Sequence, residues 1–222
     1  LSCAAPSPSA WTHLMPEPLS AAATTSVRIW DLPTRLFHWL LAAAVVGLVI
    51  TANLGGNWMN WHLRLGYAVL TLLLFRLVWG FVGGHWSRFG SFLYAPSSLI
   101  AYLQGRSKLE HRVGHTPLGA LSVFALLLVL LTQVTTGLMS DDEIAFFGPL
   151  VRFVSGDTVA LATSYHKNVG KFIVIALVVL HVAAIVFYKW VKKDNLVHPM
   201  VVGDKQMAAS HKLPQARDSL AS

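Results

Sequence analysis

Four long apolar segments divide this chain, and nothing else in the sequence restricts its fold as strongly. They run from about Leu36 to Leu54, His62 to Val82, Leu118 to Leu138 and Val169 to Trp190. Each is about 19–22 residues, the length a helix rising 1.5 Å per residue needs to cross a hydrocarbon core of about 30 Å. Buried helices of soluble domains are normally shorter. The sequence therefore predicts an all-α integral membrane protein, a four-helix bundle with up-down topology. Its composition agrees, because 55% of residues are hydrophobic and only 12% charged, an excess that a lipid-facing surface explains.

The first link, GGNWMN, allows only a tight antiparallel return between neighbouring helices. The second runs from Gly83 to Pro117 and the third from Met139 to Tyr165. Arg28 and Arg35 precede the first helix; Arg88, Arg106, Lys108 and Arg112 lie in the second link. Lys189, Lys192, Lys193, Lys205, Lys212 and Arg217 end or follow the fourth helix. If the helices alternate, all of these fall on one side. The first link has no Lys or Arg, and the third has Arg152 beside Asp141, Asp142, Glu143 and Asp157. By the positive-inside rule both termini are expected to be cytoplasmic. Trp30, Trp39, Trp58, Trp61, Trp79, Trp86 and Trp190 gather near the predicted helix ends, where amphipathic rings favour the headgroup level. The net charge of +7 resides on residues flanking apolar runs and forms no patch with aromatic partners, so no nucleic acid is expected.

The stretch before Val27 is rich in Ala, Ser, Thr and Pro and lacks the apolar core of a signal peptide; it is expected to be disordered. The chain opens on Leu1, and Met15 is expected to be the initiator. The expected division is a disordered segment at 1–26, a four-helix transmembrane domain at 27–203 and a cytoplasmic tail at 204–222. The single cysteine, Cys3, cannot form an internal disulfide, a thiolate zinc site or the CxxCH attachment of a c-type haem. Metal chemistry must then rest on histidine or carboxylate.

Polar side chains inside a bilayer are costly, so each asks for a partner. His38 lies in the first turns of helix one, His62 opens helix two, His166 starts helix four and His181 lies deeper within it. A lone intramembrane histidine can simply bond a neighbouring helix. Four together suggest more. His166 and His181 are 15 residues apart, so on a continuous helix they stand roughly 22 Å apart along the axis and about 60° apart around it. With both termini cytoplasmic, His38 can meet His181 near one face and His62 can meet His166 near the other. A flat boundary would place His38 and His181 at unequal depths, a gap that helix tilt, snorkelling of Lys189 and an Arg35 held below the headgroups would close.

Two imidazoles from separate helices fill the two axial positions of an iron porphyrin and leave no open site for substrate, which favours electron transfer. Zinc is the rival, but no thiolate and no nearby intramembrane carboxylate completes a tetrahedral site at either pair. Haem propionates are anionic, so Arg35 and Arg76 on the cytoplasmic side and Arg64 and Lys171 on the periplasmic side are candidate counter-charges, with interfacial anchoring as the alternative for each. Gly66 and Gly170 would leave room for a flat macrocycle or serve close helix packing. His115 precedes helix three without an obvious mate; a propionate contact, a quinone site, or a capping or surface role are all open. His13, His85, His111, His198 and His211 are read as solvated.

The runs VRIWDLPTRLFHW, RLVWGFVGGHWSRFGSF and GHTPLGAL, with the His166 to His181 helix ending in KDNLVHPMVVG, resemble the bacterial cytochrome b561 family, including the b-type cytochrome subunits of nickel-iron hydrogenases. The resemblance covers about Val27 to Gly203. It implies a four-helix protein of the bacterial inner membrane that binds two haem b groups and exchanges electrons with the quinone pool and a periplasmic partner, a c-type cytochrome or a hydrogenase. By motif the ligands fall on His38, His62, His166 and His181. In related chains the last two are often one residue closer; the extra residue here turns one ligand by about 100° on an unbroken helix. The acidic third link could dock a basic partner. Two other functions remain open: a stand-alone quinone-linked oxidoreductase such as a superoxide oxidase, fed through Arg64, Lys167 and Lys171, and a metal or proton transporter using the histidines as a relay.

Overall fold

The computed structural model describes residues 24–106 and 114–208. The expectations for Cys3, His13, Met15, Lys108, His111, Arg112, His211, Lys212, Arg217 and residues 1–23 lie outside them. Helix α1 spans Leu32–Leu54; Asp31 caps it by accepting from the Thr34 amide at 2.9 Å, with a proline in its first turn. It stops at Gly55, whose φ of +65° is the left-handed conformation glycine tolerates, and Gly56 at +53° completes the return. Helix α2, Met59–Val82, then runs back against α1. A short α3, Pro96–Leu103, occupies the second link. Helix α4, Pro117–Leu138, starts on Thr116, whose hydroxyl accepts from the Gly119 amide at 3.0 Å.

The fourth span is longer than the sequence suggested. It begins with α5, Gly156–Tyr165, capped by Ser155, passes through a π turn at His166–Gly170 and continues as α6, Lys171–Trp190. The candidate span is Gly156–Trp190, 35 residues, so His166 sits inside a continuous helix and not at its start. The segment GDTVALATSY is too polar to register as membrane-spanning, yet its cap and helix-forming residues carry the helix outward.

Strand β1, Thr24–Arg28, pairs antiparallel with β2, Asp204–Ala208, from Thr24↔Ala208 to Arg28↔Asp204. Arg28 also forms an ion pair with Asp204. The amides of Ile29 and Trp30 donate to the Gly203 carbonyl at 2.9 and 3.1 Å, just after α7, Val197–Val202. Residues 24–26 and 204–208, expected in a disordered segment and a tail, are thus paired strands. The ribbon ties both ends of the described fold to one end of the bundle, called here the ribbon end; the opposite end carries the α1–α2 return.

Between the ends, Ala44, Val69, Leu73, Leu130, Val134 and Val174 from α1, α2, α4 and α6 form a buried apolar layer. Leu40, Val46, Leu128, Leu180 and Phe187 face outward, as a lipid contact requires. Lipid gives helices no hydrophobic drive toward one another, so close approach at small residues must hold the bundle. A Cβ at Gly47 would meet Leu65 Cδ1 at 2.9 Å, and one at Gly80 would collide with the Phe89 ring.

Candidate functional site

On α2 the residues His62, Gly66, Val69, Leu73, Arg76 and Gly80 recur every three or four positions, which places them on one helix face. Val69, Leu73, Arg76 and Gly80 are buried. At the return end of the stripe, His62 Nδ1 donates to the Leu48 carbonyl at 3.1 Å. Across the bundle, His166 Nδ1 donates to the Gln133 carbonyl at 2.9 Å. A carbonyl can only accept, so both imidazoles hold their proton on Nδ1 and keep the Nε2 lone pair free for a metal. The two ring centres are 6.1 Å apart with planes at 89°.

A cavity of about 540 Å³ opens beside this pair, lined among others by His62, Gly66, Gly137, His166 and Lys171. That volume falls within the cofactor-pocket range of about 300–1,000 Å³. A Cβ on Gly66 would meet nothing within 4 Å, consistent with open space for a flat ligand. Gly170 behaves differently. A Cβ there would overlap the Gln133 amide and crowd Tyr165, so this glycine serves helix packing and leaves no room for a macrocycle.

At the ribbon end, His38 and His181 face each other with ring centres 6.3 Å apart and planes at 49°. His38 Nδ1 is buried without a protein partner. The expected depth mismatch does not keep the two rings apart, and α7 folds back against the start of α1. Arg35 Nη1 donates to the Val201 carbonyl at 2.8 Å and Trp39 Nε1 to the Met200 carbonyl at 3.2 Å. Arg35 is therefore held by protein, and the residues after α6 provide the floor.

The donor sets discriminate between metals. Among the described residues no three His, Cys, Asp or Glu side chains gather as a metal site, so each pair offers two imidazoles alone. A metal–imidazole bond is about 2 Å; two such bonds and two half-rings span about 6 Å, close to both observed separations. The residues fit a group that supplies its own equatorial ligands and asks the protein for two axial nitrogens, as iron porphyrin does.

The candidate counter-charges divide. Lys171 lines the cavity. Arg64 is exposed, its guanidinium 5.1 Å from the Trp61 ring centre, which suits an interfacial anchor. Arg76 is only 3% exposed, lies 4.7 Å from the Phe89 ring centre, and leaves Nη1 buried without a hydrogen bond. Asp31 and His115 lie within its electrostatic reach. His115 is half-buried, with its Nδ1 shut off from solvent. Its ring centre is 4.7 Å from that of Trp30 and 4.3 Å from that of Phe92, and burial, with the Arg76 charge, pushes the imidazole down to about 3. In the third link, Asp142 Oδ1 accepts from the amides of Ile144, Ala145 and Phe146. These bonds hold its carboxyl below the ordinary range, and they give it a turn-forming role.

Two residues escaped the sequence reading. Gln133 holds the His166 ring, and its signal was a lone amide inside an apolar helix. Asp31 is fully buried and accepts from Thr34 N, Trp79 Nε1, Gly84 N and Ser87 Oγ at 2.9–3.2 Å; an acid two residues before a proline at a helix start was its signal.

The family described as prokaryotic cytochrome b561 matches residues 29–203. A probable Ni/Fe-hydrogenase B-type cytochrome subunit of Azotobacter vinelandii is 26% identical over 216 residues, 81% of this chain and 88% of the relative. The protein of the same name from Bradyrhizobium diazoefficiens is 22% identical over 223 residues, covering 84% and 88%. A probable Ni/Fe-hydrogenase 1 B-type cytochrome subunit of Escherichia coli is 24% identical over 211 residues, covering 79% and 88%. No solved structure matches the chain at a significant level.

Proposed function

This chain belongs to the prokaryotic cytochrome b561 family, and on that premise we propose that it holds two haem b groups and passes electrons between the quinone pool and a periplasmic redox partner across the bacterial inner membrane. A membrane b-type cytochrome of this kind serves electron transport. The observation carrying the dihaem reading is the pair of facing imidazoles at each end of one bundle, with ring centres 6.1 and 6.3 Å apart. The apolar layer around Val69 and Leu130 lies between them.

Haem supplies reversible one-electron chemistry when bound; the residues of this chain do the rest. His62 and His166 ligate at the return end, with Leu48 and Gln133 carbonyls fixing their tautomers. His38 and His181 ligate at the ribbon end. Lys171 would serve the propionates on the periplasmic side, and Arg76 and Arg35 those on the cytoplasmic side; the unpaired Nη1 of Arg76 and Nε of Arg35 are donors ready for a carboxylate. The distribution of Arg and Lys supports a cytoplasmic ribbon end. The relatives' names support a hydrogenase as the periplasmic partner, with a c-type cytochrome as the other candidate.

A reduced-minus-oxidised visible spectrum with haem counted per chain tests this reading. Wild type should carry two. His38→Ala or His181→Ala should remove the same haem, and His62→Ala or His166→Ala the other. A chain that binds no haem despite ample supply overturns the proposal, and partners that deplete different haems overturn the pairing.

One observation favours a second reading. Lys167 and Lys171 both line the cavity beside His62 and His166, together with Asp141 and Asp142, and the two ammonium groups would offer a small anion such as superoxide a cationic contact. Rapid haem reduction by superoxide in the purified protein, without a protein partner, would select a quinone-linked oxidoreductase.

A further inference from the structure

Gln133 places a primary amide in the apolar run of α4, where a polar side chain needs a reason. Its two polar halves hold one residue of the neighbouring helix. The Gln133 main-chain carbonyl accepts from His166 Nδ1 at 2.9 Å, and the Gln133 side-chain Nε2 donates to the His166 carbonyl at 3.0 Å. His166 is also the first residue of the π turn, where the regular helical bonding pattern is interrupted. A main-chain carbonyl left unpaired in lipid is strongly disfavoured, and the Gln133 amide meets that need.

Two glycines permit the approach. A Cβ at Gly137, one turn along α4, would stand 2.8 Å from His166 Cε1; a Cβ at Gly170, the last residue of the π turn, would overlap the Gln133 amide itself. Glycine at both positions therefore allows ring, amide and π turn to coexist.

We propose that Gln133 is the positioning residue for His166: its amide sustains the π turn, its carbonyl fixes the imidazole, and together they set the ring plane presented to the return-end haem. This rests on the reading of His166 as a ligand. A glutamine that merely packed two helices would change stability; a positioning residue also changes the spectroscopic signature of one haem and leaves the other alone.

The full-length protein is prepared in detergent as wild type, Gln133→Leu, Gln133→Glu and Gly170→Ala. Each is read by haem count, low-temperature electron paramagnetic resonance of the oxidised haems, a redox titration and the rate of haem transfer to apomyoglobin. Gln133→Leu cannot donate to the His166 carbonyl, and Gly170→Ala displaces the amide from the other side. Both should shift the resonance and midpoint of the same haem, the one lost in His166→Ala, and speed its transfer about ten- to a hundredfold. Gln133→Glu, neutral in this apolar setting, keeps a donor and should return toward wild type.

Wild-type signals for both haems in Gln133→Leu overturn the proposal. If that variant fails to accumulate, Gly170→Ala, which leaves every polar group of α4 in place, decides on the same criterion. Two haems retained in His166→Ala would instead refute the ligand assignment, whatever the glutamine variants do.

Discussion

Gly137→Ala tests the return-end site through a single methyl group. The added Cβ would lie 2.8 Å from His166 Cε1 and 3.1 Å from Nδ1. Ordinary carbon contacts are about 3.5–4.0 Å, so ring and methyl must separate by about 0.7 Å. Moving α4 away gives no free relief, because Gly137 and the Gln133 carbonyl that accepts from Nδ1 at 2.9 Å share that helix. Clearing the methyl stretches the bond toward the limit of a hydrogen bond, forfeiting about 1 kcal/mol. A metal ligand that loses its outer partner weakens binding about ten- to a hundredfold, or about 1.4–2.7 kcal/mol. The assay is haem transfer from purified protein to excess apomyoglobin. One of the two haems should leave about ten- to a hundredfold faster than in wild type, with the second unchanged. Wild-type transfer of both, with unchanged resonance positions, would refute the claim that Gly137 makes room for an anchored ligand.

Asp31→Ala strips the partner from Trp79, Gly84, Ser87 and the first turn of α1; it should cost about 3 kcal/mol or more, read as a fall in the thermal midpoint, and Asp31→Asn should cost less. His115 is held neutral with its folded value near 3 against 6.5 unfolded, so between those limits the unfolded chain binds the extra proton. Stability is complete above pH 6.5 and falls with acid by up to about 1.4 kcal/mol per unit; His115→Phe should flatten the change in melting midpoint between pH 7.5 and 5, and an unchanged slope would disprove the assignment. Redox titration should resolve two steps, the lower belonging to the His62/His166 haem, because Nδ1 bonds to carbonyls make those ligands more electron-rich. Arg76→Leu should lower the higher step, since losing a buried cation favours the oxidised state, and should leave the lower step in place.

Hydropathy made the four spans legible because a lipid-facing helix must be apolar over its whole crossing. The histidines stood out against that background, and alternation of the helices sufficed to pair them. The β1–β2 ribbon was not legible: Thr24–Arg28 and Asp204–Ala208 are mostly polar, far apart in sequence, and take their strand form from pairing with one another. α5 escaped for a related reason, since a helix outside the hydrocarbon core need not be apolar. Arg76 read as one candidate counter-charge among several, and only its position on the buried stripe of α2, within electrostatic reach of Asp31 and His115, sets it apart from exposed Arg64.

Between His166 and His181 lie two depths of one helix face, and the π turn decides how they align. Fifteen residues of unbroken α-helix end about 60° past a whole number of turns. A π turn takes up one residue without advancing the helical ladder, so the interval behaves as fourteen and ends about 40° short instead. Both offsets lie within an inward stripe about 100° wide, which is why spacing arithmetic found the right face while missing the defect. The ring cannot ignore the difference, because the two offsets would present His166 to different neighbours. With the turn in place it meets Gln133 and His62. One residue is thus taken up beside His166, where Gln133 can bond the carbonyl of the turn, while α6 continues to place His181 opposite His38.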